Sequence, residues 1–262
     1  MLVIGELING MYKNVGKAIK ERNKNVIQRI AKEQIAAGAA MLDVNTGPYE
    51  KNPKEAIKWL VESIQEACDI PLALDSTKAD VIEEGLKSVR NKAMINSTNA
   101  DSEKLDILVL MAKKYNASLI GLTMDKKGVP RDKNERVEHA VKIISKCQEV
   151  DFNLNDLFLD PIVLPVNVAQ AQGEEVLESI REFKFLCDPA PKTVIGLSNV
   201  SQGTKMRPLI NRIYLVMAIT NGLSAAILDP LDKDLMDAAI TTELILNKTI
   251  YCDSFLEAYK KR

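Results

Sequence analysis

The sequence is poor in the side chains that ligate metals and act as general bases. Its one histidine, His139, lies in a polar stretch with helical spacing, where we expect an exposed structural role. That leaves no histidine for a Ser-His-Asp triad, a metal site or a general base. The four cysteines, Cys68, Cys147, Cys187 and Cys252, form no C-x-x-C pair and have no histidine nearby in the sequence. We therefore expect buried reduced thiols and no metal site built by this chain.

A charge surplus and a long apolar run are also missing. Thirty-five basic residues face 36 acidic ones, for a formal net charge of -1. General nucleic-acid and anionic-membrane binders carry a basic surplus, so we expect neither partner. No apolar run approaches the roughly 20 residues that cross a bilayer. The apolar start turns polar at Gly5 and Glu6, which is too short for a signal peptide, and we expect a cytoplasmic protein.

Eight short apolar runs recur along the chain, each bounded by Gly, Asn, Asp, Ser or Pro. Short buried runs of this kind predict the strands of a parallel sheet. The predicted strands are Leu2–Ile4, Met41–Val44, Leu72–Leu74, Ala93–Ile95, Leu119–Leu122, Leu157–Leu159, Thr193–Leu197 and Ala225–Leu228.

A longer segment with helical spacing follows each predicted strand. The predicted helices are Val15–Ala37, Pro53–Ala67, Ala79–Val89, Ser102–Tyr115, Glu135–Val150, Gly173–Leu186, Pro208–Thr220 and Lys233–Leu246. Strict alternation over eight units predicts an α/β fold, a (β/α)8 TIM barrel with residues 1–262 as one domain. We expect a last helix after about Thr249 to close it. The alternative, an open doubly wound sheet, lacks its glycine-rich phosphate loop after the first strand.

Polar side chains gather at the predicted carboxyl ends of the strands, where barrel enzymes carry their chemistry. Any one serine, threonine or aspartate there is more simply a helix cap. Caps do not explain an amide or a carboxylate at nearly every strand end. The set is Glu6, Asn9, Asp43, Asn45, Thr46, Asp75, Ser76, Thr77, Asn96, Ser97, Thr98, Asn99, Thr123, Asp160, Ser198, Asn199, Ser201, Gln202 and Asp229.

Such a ring of polar groups suits a flat heterocycle rich in donors and acceptors. A carboxylate accepts two parallel hydrogen bonds from a ring N–H and its adjacent amino group, and amides recognise both kinds of edge. A pterin, a guanine-like base and a sugar would all fit. Magnesium or calcium bound by Asp43, Asp75 and Asp160 is the rival interpretation, which would leave the neutral amides without a role.

In their order along the chain, these motifs resemble the folate-dependent corrinoid methyltransferases, above all those that act with a corrinoid iron–sulfur protein. The chain is also similar to the folate-binding barrel of cobalamin-dependent methionine synthase and, more distantly, to dihydropteroate synthase. Dihydropteroate synthases place a lysine just after the seventh strand, where this chain has Ser198-Asn199-Val200-Ser201, which argues against that activity. The resemblance is carried, nearly end to end, by Ile4-Gly5-Glu6-Leu7-Ile8-Asn9-Gly10-Met11, Leu42-Asp43-Val44-Asn45-Thr46-Gly47, Leu74-Asp75-Ser76-Thr77, Ala93-Met94-Ile95-Asn96-Ser97-Thr98, Asp160-Pro161, Gly196-Leu197-Ser198-Asn199-Val200-Ser201 and Tyr251-Cys252-Asp253-Ser254-Phe255.

The resemblance implies a role for individual residues in a pterin-binding barrel. Asn199 would be the catalytic residue, near the N5 atom that carries the methyl group. The folate-binding residues would be Asp75, Asn96 and Asp160 on the edge of the pterin ring, Gly196 and Ser198 beside it, and Gln202, Arg207 and Ile227 around it, with Glu6, Asn9, Asp43, Asn45 and Met206 as weaker candidates.

The reaction implied is methyl transfer from methyltetrahydrofolate to the cobalt(I) of a corrinoid, in the acetyl-CoA (Wood–Ljungdahl) pathway. The corrinoid would be carried by a partner, the corrinoid iron–sulfur protein, and this chain would form a homodimer. Because N5 is a poor leaving group, a hydrogen bond or proton must develop on it as the C–N bond breaks. The alternatives are the same chemistry with another corrinoid protein, a non-catalytic folate-binding barrel, and a metal-dependent barrel lyase or hydrolase.

Overall fold

The computed structural model describes residues 1–48 and 50–252, and within them eight parallel strands close into a barrel. Each strand pairs with its neighbours in sequence, and the eighth pairs with the first. The predicted (β/α)8 barrel is confirmed. The strands are β1 Leu2–Asn9, β2 Met41–Asn45, β3 Leu72–Asp75, β4 Met94–Asn99, β5 Ser118–Leu122, β6 Leu157–Asp160, β7 Lys192–Gly196 and β8 Ala225–Leu228.

Nine α-helices surround the barrel within the described residues. They are α1 Lys13–Lys20, α2 Lys24–Ala36, α3 Pro53–Gln65, α4 Ala79–Leu86, α5 Ser102–Lys114, α6 Lys133–Glu149, α7 Gln172–Glu182, α8 Arg207–Thr220 and α9 Lys233–Ile245. Across this part of the chain, every helix is too short or too polar to span a lipid bilayer.

Two strands run further than their apolar residues predict. β1 continues past Ile4 to Asn9, which pairs with Asn45 of β2. β4 likewise continues to Asn99, which pairs with Leu122 of β5. A strand ladder needs only backbone N–H and C=O groups, so polar side chains that face a pocket do not end it.

Two predicted helices differ in the structure. The segment Val15–Ala37 forms α1 and α2, because Arg22 between them adopts a φ of 53°, in the left-handed region that a right-handed helix excludes. Residues 250–252 are not helical. The rest of the closing helix predicted after Thr249, with most of the Tyr251–Phe255 motif, lies outside the described residues.

One side chain from each strand points into the barrel and forms a closed apolar layer. Side chains alternate across a strand with a period of two, so the next inward position on each strand lies two residues further along. That step reaches the carboxyl end of the barrel. The layer is Ile4, Met41, Ala73, Met94, Ile120, Phe158, Val194 and Ala225.

The larger part of the core lies between the strands and the helices. On α3, Ile57, Leu60, Val61 and Ile64 are all at most 1% exposed, as their spacing predicts. Burying each such side chain contributes about 1.5–3 kcal/mol to folding. These contacts fix the strands, and with them the strand ends that build the site.

Burial of the thiols and of the histidine differs from expectation. Cys147 is buried, but Cys68 and Cys187 are half-buried and Cys252 is exposed, so the prediction of buried thiols holds for one cysteine only. The other three lie in segments between or beyond the helices and strands. His139 is half-buried rather than exposed, because it lies at the edge of the buried face of α6.

Candidate functional site

A cavity of about 560 Å³ opens at the carboxyl ends of the strands, and we call it the strand-end pocket. Its floor takes one residue from each strand, always two positions beyond the closed apolar layer. The alternation of the strands thus brings residues that are far apart in sequence to one level. The floor residues are Glu6, Asp43, Asp75, Asn96, Leu122, Asp160, Gly196 and Ile227.

On one side of the floor, carboxyls and amides form two pairs. Asn96 donates from Nδ2 to Asp43 Oδ1 over 2.9 Å, and Asn45 donates from Nδ2 to Asp75 Oδ2 over 2.6 Å. Asp43 is 4% exposed, and burial raises its pKa well above the usual range. Asp75 raises that pKa further, while the bond from Asn96 lowers it. Burial also raises the pKa of Asp75, against the lowering by Asn45 and Lys104.

Asp160, 8% exposed, ends β6 on the next part of the floor. Burial raises the pKa of Asp160 to about 7, although the Ile162 N–H and the Arg136 guanidinium both lower it. The Ile162 N–H donates to Oδ1 over 2.7 Å, while no group in the described part of the chain donates to Oδ2.

 Asp160 is therefore a carboxyl that holds its proton near neutral pH and keeps one oxygen for a ligand.

Arg136 of α6 fixes the chain around Asp160 from behind. It is fully buried, and it donates from Nε to Pro161 O over 2.7 Å and from Nη2 to Gln172 Oε1 over 2.6 Å. Two charge-assisted bonds to neighbouring segments hold the loop after β6 in place. Nothing in the sequence singled out this residue, because its partners are a backbone carbonyl and an amide remote in the chain.

Glu6, the remaining acidic residue of the floor, lies at the end of the pocket towards the β7 loop. Ser198 donates from Oγ to Glu6 Oε1 over 2.6 Å. Burial raises the pKa of Glu6 to about 7, with a further rise from Asp229 and opposing effects from Ser198 and Arg207. Glu6 can therefore exchange a proton at neutral pH, and its partner Ser198 directly precedes Asn199 in the chain.

Asn199 stands above Gly196 at the end of β7. A Cβ on Gly196 would lie 3.0 Å from Asn199 Nδ2, so the glycine leaves the space that the amide occupies. Asn199 is exposed to the pocket, and its side-chain amide makes no hydrogen bond to the described part of the chain. The amide is thus free to donate to a ligand or accept from one.

The remaining candidates lie around the mouth. Arg207 donates from Nε to Ser201 Oγ over 3.2 Å and from Nη2 to the Ser198 carbonyl over 3.3 Å, which holds it against the β7 loop. Gln202 and Asn9 also line the pocket.

Two weaker candidates do not line the pocket. Asn45 lies behind Asp75, which it holds by the bond already described, and its Oδ1 accepts from the Gly47 N–H over 2.6 Å. Met206 is 60% exposed and lies outside the lining. It immediately precedes α8, where the chain turns towards solvent.

Some lining residues were not among the predicted site residues. Leu122 is the inward residue of β5, and the period of two from Ile120 would have found it. Met11 and Tyr12 follow β1, and Lys104 lies on α5 near Asp75. Their positions depend on how loops and a helix fold over the strand ends, which no local pattern signals.

Helix capping does not explain the polar strand ends after β3 and β4. The residue before α4 is Lys78, and the residue before α5 is Asp101, whose side chain accepts no capping hydrogen bond.

Among residues 1–48 and 50–252, no group of three or more His, Cys, Asp or Glu side chains has the arrangement to hold a metal ion. The polar groups instead face a shared pocket with both donors and acceptors.

Comparison with known proteins gives both a family and close folds. The family model described as pterin binding enzyme matches residues 13–229. The chain is 27% identical over its whole length to the methylcorrinoid:tetrahydrofolate methyltransferase of Eubacterium limosum, of which it covers 97%. It is also 28% identical, over 87% of its length, to the methionine synthase of Mycobacterium leprae, and it spans only 20% of that protein.

Solved structures match the whole barrel. A dihydropteroate synthase from Coxiella burnetii in complex with pteroic acid has a TM-score of 0.71 and 14% identity, covering 95% of this chain and 94% of that chain. The Yersinia pestis enzyme with a pterin–sulfa conjugate has a TM-score of 0.68 and 17% identity, with 94% of each chain covered. At these identities the likeness extends to the fold alone.

Proposed function

The chain belongs to the pterin-binding enzyme family, and on that premise we propose that it transfers a methyl group between N5 of tetrahydrofolate and the cobalt of a corrinoid. The relative from Eubacterium limosum, named for methyl transfer between a methylcorrinoid and tetrahydrofolate, supports this reaction. Methionine synthase supports the same substrate class. One site serves both directions of transfer, because forward and reverse reactions share a transition state.

The strand-end pocket fits the hydrogen-bonding edge of a pterin. Asp75, Asn96 and Asp160 offer both acceptors and donors on adjoining parts of the floor. The ring N–H and amino groups of a pterin need acceptors, and its carbonyl needs a donor, which this set supplies. A pocket of about 560 Å³ is within the ordinary range for small-molecule sites.

The observation that carries the proposal is the free amide of Asn199 above Gly196, across the barrel from Asp75 and Asn96 and on the strand next to that of Asp160. With the pterin edge held by Asp75, Asn96 and Asp160, the ring extends towards β7, and N5 comes within reach of this amide. The Asn199 NH₂ then donates to N5 more strongly as the C–N bond breaks, when negative charge develops there. A donor of this kind contributes about 3–4 kcal/mol to the transition state.

Glu6 and Ser198 provide a route for the proton that N5 gains. Their hydrogen bond of 2.6 Å lies beside Asn199, and the pKa of Glu6, raised to about 7, lets it hold a proton at neutral pH. In the direction away from folate, N5 takes up a proton as it loses the methyl group, and the reverse direction returns it. The corrinoid, when bound, supplies the nucleophilic cobalt(I).

The natural corrinoid carrier is the finer part of the proposal. The motif resemblance favours the corrinoid iron–sulfur protein of the acetyl-CoA pathway. A second candidate is another corrinoid protein. The name of the Eubacterium limosum relative, which matches nearly end to end, mentions a methylcorrinoid and no iron–sulfur protein. With either carrier, we propose that this chain works in the cytoplasm as a homodimer and that its 262 residues form one domain.

An anaerobic spectrum tests the proposal. Methyltetrahydrofolate, reduced free cobalamin and the purified protein are mixed, and conversion of cobalt(I) to methylcobalt(III) is followed by visible absorbance. We expect conversion that requires the protein and persists with a chelator present. Folate binding without conversion, both with free cobalamin and with either corrinoid protein, would favour a folate-binding barrel, and loss of activity to the chelator would favour metal chemistry.

The two carriers are separated by the same assay. The corrinoid iron–sulfur protein and a corrinoid protein without the cluster are each supplied at equal concentration. A higher kcat/KM with the former supports the acetyl-CoA pathway, and the opposite ratio supports the second candidate. Light scattering of the purified chain tests the homodimer directly.

A further inference from the structure

The regular pairing of β1 with β2 slips by one residue just before the pocket. Gly5 pairs with Leu42 of β2, and Ile8 pairs with Val44, so three steps along β1 match two steps along β2. The extra residue on β1 makes a β-bulge. Bulges are rare in parallel sheets and are common beside active sites, where they redirect a side chain.

The bulge decides which side chains of β1 enter the strand-end pocket. Glu6 points inward, two positions beyond Ile4 of the closed apolar layer. Strict alternation would next turn Ile8 inward and Asn9 outward. Ile8 instead lies fully buried in the core between strands and helices, and Asn9 lines the pocket. Without the extra residue, an apolar side chain would take the place of Asn9.

Gln34 of α2 fills the space behind the bulge. Its Oε1 accepts the Leu7 N–H over 3.0 Å, and its side chain is fully buried. A Cβ on Gly5 would lie 2.3 Å from that oxygen, so the glycine leaves room for the amide. Gln34 thus lies against the backbone on both sides of Glu6.

Packing alone does not account for a glutamine at this position. Within residues 1–48 and 50–252, Gln34 Nε2 is buried and has no hydrogen-bond partner. A methionine of similar length would fill the space without an unpaired donor, but it offers no strong acceptor. A bulge leaves a backbone N–H outside the sheet ladder, and a buried N–H without an acceptor is costly. The acceptor oxygen is therefore what this position requires.

We propose that Gln34 is a positioning residue for the reaction, although it lies outside the pocket. By accepting the Leu7 N–H it holds the β1 bulge, which aims Glu6 at Ser198 and Asn9 at the pocket. The hydrogen bond of 2.6 Å from Ser198 Oγ to Glu6 Oε1 depends on that aim. The part that Glu6 plays in methyl transfer rests on the proposed function, whereas its position does not.

Titration of the Glu6 carboxyl tests the inference without folate. Glutamate labelled with carbon-13 at its side-chain carboxyl is incorporated, and the NMR signal of Glu6 is assigned by its loss in Glu6→Gln. Because burial raises the pKa of Glu6 to about 7 while the Ser198 bond lowers it, loss of that bond should move the midpoint upward. We expect Gln34→Met to raise the midpoint by about half a pH unit. The titratable groups that face Glu6 are unchanged by this substitution, and they are Tyr12, Asp43, Arg207 and Asp229.

Further variants separate positioning from a loss of stability. Gly5→Ala should reproduce the rise, because its Cβ would displace the Gln34 amide from the other side. Ile27→Val, the matched control, removes one methylene from a fully buried residue of the same helix and should keep the wild-type midpoint. In the Ser198→Ala background, Gln34→Met should add nothing, since both changes remove the same interaction.

Methyl transfer to cobalt(I) in a single turnover, measured on the same proteins, gives the functional half of the test. Gln34→Met should lower the rate about tenfold, because a misplaced Glu6 no longer delivers the proton. The dissociation constant for methyltetrahydrofolate should change by less than about threefold, since the residues proposed to hold the pterin edge are untouched.

The outcomes are distinguishable from failure of the proposed function. A wild-type midpoint in Gln34→Met, an equal rise in Ile27→Val, or a full rise in the Ser198→Ala background would each overturn the inference. A raised midpoint with a wild-type rate of methyl transfer would also overturn it. A wild type that transfers no methyl group would refute the proposed function, while a raised midpoint in Gln34→Met would still support the positioning of Glu6.

Discussion

Replacing Asp160 by asparagine should stabilise the protein at alkaline pH while weakening folate binding. Asparagine has nearly the same shape, and its Oδ1 can still accept the bond from the Ile162 N–H that Asp160 accepts over 2.7 Å. The Thr123 hydroxyl donates to the backbone carbonyl at position 160 and is unaffected. The substitution therefore removes the charge and little else.

The size of the effect follows from the pKa of Asp160, raised by burial from 3.8 to about 7. Between these values the folded protein binds more protons than the unfolded chain, so stability falls as pH rises through this window. The difference is about three pKa units, so ionised Asp160 costs the folded state up to ~4 kcal/mol above pH 7. Below pH 3.8 the cost is absent.

Urea unfolding at pH 5 and pH 8 measures this cost. We expect Asp160→Asn to exceed the wild type by about 2–4 kcal/mol at pH 8, and by less than half of that at pH 5. The exposed residue Asp237 provides the control Asp237→Asn, which should follow the wild type at both values. Equal stability of wild type and Asp160→Asn at pH 8 would refute the view that a buried carboxyl is held there for a ligand.

Three further substitutions test the neighbouring groups. Because the pKa of Glu6 is raised to about 7, we expect the rate of methyl transfer from saturating folate to decline above about pH 7 in the wild type. Glu6→Gln should abolish that decline. A pH–rate profile that keeps its shape in the variant would remove Glu6 from the proton route. Gly196→Ala should lower kcat about tenfold, because the added Cβ would lie only 3.0 Å from Asn199 Nδ2 and would displace that amide. The melting temperature should change little, since the φ of -81° at this position suits alanine. A kcat equal to that of the wild type would contradict this prediction. Arg136→Met should lower the free energy of unfolding by about 2–5 kcal/mol in urea, because Pro161 O and Gln172 Oε1 lose their buried donor, and a loss below 1 kcal/mol would disprove that role.

The sequence predicts the fold well because alternating apolar runs and helical segments are local signals that the closed barrel satisfies together. Most of the pocket floor follows for the same reason. Asp43, Asp75 and Asp160 each lie two residues beyond an inward apolar residue, so one alternation determines both layers.

The parts that sequence reasoning missed depend on tertiary contacts. Arg22 breaks a helix through its backbone conformation, although its side chain is an ordinary helix former. Lys104 and Arg136 reach the site from outer helices, where their spacing resembles that of any solvated or packed residue. Met206 appeared close to the mouth by its sequence position, but the turn into α8 directs it to solvent.

The central claim is that the Asn199 amide donates to N5 in the transition state, and single-turnover methyl transfer to cobalt(I) tests it most directly. Asn199→Ala and Asn199→Asp, which keeps the size but lacks the NH₂ donor, should each lower the rate by about 10²–10³. The dissociation constant for methyltetrahydrofolate, measured on the same proteins, should change by less than about threefold. A weakened affinity with an unchanged rate at saturating folate would make Asn199 a binding group only, and would contradict the account.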